Sequence, residues 1–167
     1  QHPILYYHRI GTQGDPTITV SQGAFDRQMA LLKERGAPIA LVELVSHLAS
    51  ADPLPKRVAV TFDDGYEDVY THAFPVLKKH RVPATIFVIV DWIGRKDFLS
   101  WEMIQEMAEE GITIGSHTKS HTYLPSIRSR NGLEEEIRGS KELLEERLKR
   151  EVLFFCYPVG GFTPEIR

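Results

Sequence analysis

Short apolar runs recur along this chain, and longer stretches with helical spacing separate them. Ile4–Tyr7, Arg57–Phe62, Ala84–Val90, Ile112–Gly115 and Val152–Tyr157 read as strands; the third is the clearest, apolar and rich in β-branched residues. Between them, Phe25–Arg35 places Phe25, Met29 and Leu32 at helical spacing with Gly36 as a cap, and Leu41–Ala49 makes a second short helix. Asp68–His80 turns Val69, Phe74 and Leu77 inward and is expected to kink at Pro75. Ser100 stands as an N-cap for Trp101–Glu110, which Gly111 ends. Leu133–Lys149 is a long amphipathic helix with Leu133, Ile137, Leu144 and Leu148 on one face, and its charge runs, Glu134–Glu136 and Glu145–Arg147, read as a solvated face. Gly11–Thr17 is a loop and Asp52–Pro55 a turn.

Strands that alternate with helices and are apolar throughout predict an α/β fold, a parallel sheet covered by helices. In such folds reactive residues gather at the carboxyl ends of the strands. Asp63-Asp64, His117 and His121, and Pro158-Val159-Gly160 all fall there, and so does His8. Four segments of chain are thus expected to meet on one face.

Composition narrows this only slightly. The 167 residues fit a single domain, 1–167, with a sizeable core. A net charge of −3 argues against a general nucleic-acid binder, which would be basic. No apolar stretch reaches the length of about 18 residues that a membrane span needs. The single cysteine, Cys156, lies in an apolar run, has no intrachain disulfide partner, and reads as a buried apolar residue. Gln1 is not a natural start, which leaves room for a targeting segment before it.

Adjacent residues on a strand point in different directions, so Asp63 and Asp64 need not do the same job. His117 and His121, spaced i and i+4, come together if their segment turns helically. One carboxylate and two imidazoles are three ligands with positions left open, a set that suits zinc, with other divalent first-row metals admissible. A bound metal lowers the pKa of its water from 15.7 towards about 7, and the spare carboxylate is then placed to act as general base.

Thr-Phe-Asp-Asp-Gly (61–65), Ser-His-Thr-Lys-Ser-His (116–121) and Phe-Cys-Tyr-Pro-Val-Gly (155–160) together closely resemble the motifs of the polysaccharide deacetylases, the NodB-like domains of carbohydrate esterase family 4. The intervening segments at 68–79, 83–88 and 99–102 also look like the family's, so the resemblance covers nearly the whole chain. It implies a distorted (β/α) barrel, usually of seven strands, and metal-dependent removal of acetyl groups from a sugar polymer. Asp63 would be the general base, and Asp64, His117 and His121 would hold one divalent metal, zinc foremost with cobalt, nickel, iron or manganese as alternatives. A backbone N–H of Tyr157 or Val159 would face the developing oxyanion.

Two departures stand out. Many members carry an arginine that orients the base where this chain has Cys156, and the usual late Leu-x-x-His segment that supplies the general acid is absent. Leu5-Tyr-Tyr-His-Arg-Ile10 resembles the opening of the poly-β-1,6-N-acetylglucosamine deacetylases, whose barrels look circularly permuted. On that resemblance His8 takes the acid's role. Tyr66 and Trp92, beside the motif strands, are candidate sugar contacts. The expected partner is an acetylated exopolysaccharide; peptidoglycan, chitin, acetylated xylan, or binding without catalysis are the competing readings. Such polymers lie outside the cytoplasm, so the resemblance implies an extracellular or envelope location. With only five or six strands in view, a barrel is expected to be incomplete at its C-terminal side, lacking the final segment.

Overall fold

The structure is a computed structural model and describes residues 2–50 and 55–166; the turn expected at Asp52–Pro55 lies outside them apart from Pro55. Four strands, β1 (Ile4–Tyr7), β4 (Ala59–Phe62), β5 (Ala84–Val88) and β6 (Thr113–Ser116), form one parallel sheet in the order β1-β4-β5-β6. Strand order follows chain order without reversal. That walk in one direction distinguishes a (β/α) barrel wall from a doubly wound sheet, whose order reverses at a switch point. Among the described residues β1 and β6 are not bonded to each other, so the sheet is open.

Register and pleat together sort the strand residues into two faces. Tyr7 pairs with Phe62, Phe62 with Ile86, and Ile86 with Ile114, so these four share one row. Because side chains alternate, this row and the positions two residues away point the same way. Tyr7, Val60, Phe62, Ile86, Val88 and Ile114 accordingly join the main core beneath the helices. The intervening positions, Ile4, Tyr6, His8, Thr61, Asp63 and Phe87, all line a single cavity on the opposite face. β4 and β5 are thus buried on both faces, whereas Ile4, Leu5 and Tyr6 of the edge strand β1 are exposed.

The helices follow the sequence closely, with two instructive exceptions. Helix α1 (Gln22–Glu34) begins where Ser21 accepts a hydrogen bond from Ala24 N–H, and it buries Phe25 and Met29. Helix α2 spans Leu41–Ser50. Helix α4 (Trp101–Glu109) is capped by Ser100, which accepts from Met103 N–H at 3.3 Å. The kink expected at Pro75 takes the form of a π-helical turn, Val69–Ala73, running into α3 (Phe74–His80). Pro75 has no N–H to donate back into the preceding turn, and the wider turn accommodates that gap. The helix expected at Leu133–Lys149 starts earlier, at Ser129-capped α5 (Arg130–Glu134), and passes through a second π-helical turn, Glu135–Gly139, into α6 (Ser140–Leu148).

One further expectation needs correction. The strand expected at Val152–Tyr157 contributes one parallel bridge, Ser116 to Phe155, with Ser116 N–H bonded to Phe154 O and Cys156 N–H to Ser116 O. β6 ends at Ser116, where the chain turns away into the histidine segment, so it offers a fifth strand little to pair with. Gly11–Thr17 is a loop as expected, and short strands β2 (Arg9–Ile10) and β3 (Thr19–Val20) flank it as a parallel pair. Asp68 fixes this pair, accepting from Arg9 Nε at 2.7 Å and Ile10 N–H at 3.0 Å.

Gly115 shows how tightly the cavity face is packed. A Cβ there would sit 2.5 Å from Phe87 Cδ1 and 3.0 Å from the Phe154 carbonyl oxygen. Gly115→Ala is therefore expected to lower stability by about 2 kcal/mol through overpacking, read as a lower denaturant midpoint with an unchanged slope. An unchanged midpoint would show that Phe87 swings aside freely.

Candidate active site

Asp63 continues the alternation of β4 and turns its carboxylate into the cavity. Asp64 would face the helices if the strand continued, but its φ of 72° takes it into the left-handed region and its carboxylate reaches the same cavity. Aspartate tolerates that conformation better than most residues. Gly65 follows at φ 79°, and a Cβ there would press on Val88. Backbone bonds on both sides hold the turn: Asp63 N–H donates to Tyr7 O at 2.8 Å, and Leu99 N–H to Gly65 O at 3.0 Å.

The histidines come from the segment that leaves β6. His117 N–H donates to Val88 O, and Asp91 N–H to Lys119 O, tying the segment to the end of β5. Thr118 and His121 both have positive φ, 69° and 65°, and His121 N–H donates to Thr118 Oγ1 at 2.9 Å. The two imidazoles therefore meet through two left-handed residues rather than through a helical turn; their ring centroids are 4.9 Å apart. Non-glycine residues in this region cost of order 1–3 kcal/mol each and persist where surrounding structure over-determines them. Asp64, Thr118, His121 and Val159 concentrate that cost at one place.

Asp64 Oδ1 is the centre of the arrangement. It is buried, has no hydrogen-bond partner, and lies 3.4 Å from both His117 Nε2 and His121 Nε2. A buried carboxylate oxygen facing two imidazole nitrogens fits a divalent cation, since leaving such an oxygen unpaired is costly. The donor atoms of Asp64, His117 and His121 all lie within 4.8 Å of one another. His117 Nδ1 lies 2.9 Å from the Cys156 carbonyl oxygen, which only accepts, so in the neutral ring Nδ1 carries the proton and Nε2 the lone pair.

Charges at the site follow from this packing. Burial alone would depress His117, but the Asp64 carboxylate and the contacts with Cys156 override it and push its pKa up to about 10. Burial pushes Asp64 up, and His117 with His121 more than offset this, leaving it below the usual range. Burial holds Asp63 above the ordinary carboxylate value, only partly opposed by His117 and His8. His121 is lowered by burial and by the neighbouring His117. One carboxylate is thus held ionised and the other is made more basic, an arrangement suited to a ligand beside a base.

The remaining sequence candidates divide. His8, Tyr157 and Val159 line the same cavity, of about 850 Å³, as the two aspartates and two histidines. Tyr66 and Trp92 do not line it. They belong to a ring stack beside it: Arg9 lies 4.6 Å over Tyr66, Tyr66 stacks on Phe98, and Trp92 meets both Phe98 and, at 5.6 Å, His121. His2, His72 and His80 lie outside the cavity, each bonded elsewhere.

Two residues gain roles that the sequence did not suggest. Cys156 is half-buried and faces the cavity, its thiol donating to Asp63 Oδ1 at 3.8 Å, so it is not a core residue. It meets Asp63 from the position where the resemblance implies an arginine in many members. Glu136, assigned to a solvated face, instead accepts from Lys119 N–H (3.0 Å), Ser120 N–H (2.9 Å) and Ser120 Oγ–H. It anchors the histidine segment. Ser140, one turn on, contacts Ser116 Oγ at 2.7 Å. Both partners follow from the π-helical turn and the docking of α6, which leave no local signature.

The fold is that of the polysaccharide deacetylases: residues 50–167 match the family described as Polysaccharide deacetylase, and the chain belongs to it. YxkH of Bacillus subtilis strain 168, which bears the family's name, is 36% identical over 165 residues, covering 98% of this chain and 58% of that protein. The Poly-beta-1,6-N-acetyl-D-glucosamine N-deacetylase of Staphylococcus aureus strain MRSA252 is 28% identical over 156 residues, 85% of this chain and 54% of that protein. Streptococcus pyogenes deacetylase PplD, solved in complex with acetate, superposes with a TM-score of 0.91 at 29% identity, covering 99% of this chain and 76% of that one. IcaB from Ammonifex degensii gives 0.88 at 34% identity, with 99% and 80% covered. This chain spans little more than half the length of the curated relatives it matches.

Two outcomes are expected. Glu136→Ala should weaken divalent-cation binding by about 10- to 100-fold, as loss of a ligand-orienting contact does, measured by competition with a chelator; unchanged affinity would show that the segment holds itself. Cation binding at pH 8 should release about one proton, because His117 is protonated in the metal-free protein up to about pH 10 and must be neutral as a ligand. Calorimetry in buffers of different ionisation enthalpy reads that number, which should fall away above about pH 10.

Proposed function

We propose that this chain is the catalytic part of a metal-dependent N-deacetylase that hydrolyses the acetamide of an N-acetylglucosamine polymer. The observation that carries the reading is the unpaired, buried Asp64 Oδ1 facing two imidazoles, with the more basic Asp63 beside it in an open cavity. Zinc suits one carboxylate and two imidazoles best, with cobalt, nickel, iron or manganese as alternatives. When bound, such a cation supplies Lewis acidity and makes nearby water more acidic.

The chain's own residues account for the proton traffic. Asp63 accepts the proton of the attacking water, and Cys156 donates to its Oδ1. A backbone N–H from Tyr157 or Val159, on the cavity wall, donates to the developing oxyanion. His8, lining the same cavity from the end of β1, gives a proton to the departing amine nitrogen. Water and acetamide thereby become acetate and free amine. Asp64, His117 and His121 orient and hold the cation, and Glu136 and the Cys156 carbonyl orient the two histidines.

The choice of polymer is supported by the relative named for poly-β-1,6-N-acetylglucosamine, and acetate as the product by the acetate that accompanies the similar S. pyogenes deacetylase. Aromatic side chains on the cavity wall, Tyr6, Phe155, Tyr157 and Phe162, offer faces for sugar rings. A polymer of this kind places the protein outside the cytoplasm or in the envelope. No helix among the described residues is long and apolar enough to cross a membrane.

Asp63→Asn is expected to reduce acetate release from the deacetylatable polymer by about 10²- to 10⁴-fold, the usual weight of a general base, while Zn²⁺ affinity stays within a few-fold of wild type. Near-normal turnover in this variant would sink the assignment of Asp63 as base.

A further inference from the structure

The cavity holds a second set of metal donors. The ligand atoms of Asp63, His117 and Cys156 also lie within 4.8 Å of one another. Cys156 Sγ is 3.8 Å from Asp63 Oδ1, and His117 is held beside Cys156 by the bond from its Nδ1 to the Cys156 carbonyl. All three residues line the open cavity, so a cation in solvent has access to them. A thiol, an imidazole and a carboxylate are a soft-to-borderline set, in contrast to the carboxylate and two imidazoles next to it.

We propose that Asp63, His117 and Cys156 form a competing site for thiophilic divalent cations, and that filling it inactivates the protein. The two sets share His117. A neutral imidazole has one lone pair, so one chain holds one cation at a time, in one position or the other. In the first position Asp63 remains free. In the second its carboxylate is taken as a ligand, the thiol proton passes to solvent as the sulfur–metal bond forms, and Asp64 and His121 are left out. Softness of the cation decides between them: a thiophilic ion gains the Cys156 thiolate, while a harder ion gains only by keeping Asp64 and two imidazoles. The loss of activity rests on Asp63 being the base; the site itself does not.

Cadmium is the probe. The metal-stripped protein is titrated with Cd²⁺ while the ultraviolet cadmium–thiolate charge-transfer band and the number of ions bound are followed. The expected result is a band that saturates at one ion per chain and that survives in His121→Ala, which dismantles the neighbouring set. Asp63→Asn should shift the midpoint of the band at least tenfold towards higher Cd²⁺. Cys156→Ser should bind one ion without the band. In acetate release, Cd²⁺ should silence the wild type, and added Zn²⁺ should restore activity only at a large excess. A wild type that binds Cd²⁺ with no thiolate band overturns the site. So does a band lost in His121→Ala, which would make Cys156 a ligand of the first position, or a midpoint indifferent to Asp63→Asn. A wild type without acetate release but with the full spectroscopic pattern would overturn the proposed activity and leave the site standing.

Discussion

The level ending of parallel strands is the constraint from which the site follows. Tyr7, Phe62, Ile86 and Ile114 lie in one hydrogen-bonded row, so the residues just after them reach the cavity at nearly the same height. His8 and Asp63 occupy the next row, with Phe87 and Gly115 completing it. Period-two alternation leaves that row no choice of face, because the preceding row is locked into the core under the helices. A slip of one residue in the β1–β4 ladder would send His8 or Asp63 into the helix layer. The chemistry is therefore held by the same apolar burial that holds the sheet.

Asp64 escapes this rule, and its escape makes two adjacent carboxylates useful together. Strand geometry alone would separate them onto opposite faces. The left-handed turn at Asp64, with Gly65 beneath Val88, returns the second carboxylate to the first one's side. The separation then becomes electrostatic: His117 and His121 hold Asp64 ionised, while burial makes Asp63 more basic. One short segment thus supplies two differently tuned groups without a second strand.

Much of this was legible from residue pattern. The limits of β1, the Ser100 cap and the strand ends that carry Asp63, Asp64, His117 and His121 all follow from local spacing. What escaped is non-local or involves a shift of one residue. A π-helical turn adds a residue to a helix without disturbing its apolar stripe enough to be noticed, yet Glu136 in such a turn reaches the histidine segment. Cys156 looked like core because its neighbours are apolar; only the bridge from Phe155 to Ser116 turns its thiol towards Asp63. Tyr66 and Trp92 carried the composition of a sugar contact, but ring-on-ring packing with Phe98 claims them.

The histidine segment also sets the order in which the site is assembled. Asp64 leaves the ribosome well before His117 and His121, and its oxygen meets neither imidazole until β6 has docked on β5. The ligand set has high contact order, so loop closure must precede any gain from a cation. Cation binding then acts on folding only through mass action on the finished sheet. Chelation would first release the 117–121 segment and its hold on Glu136, a local opening in which hydrogen exchange at Lys119 and Ser120 rises ahead of exchange in β4 and β5. A cation held by Asp64, His117 and His121 would in this sense be a late lock on a fold that has already formed.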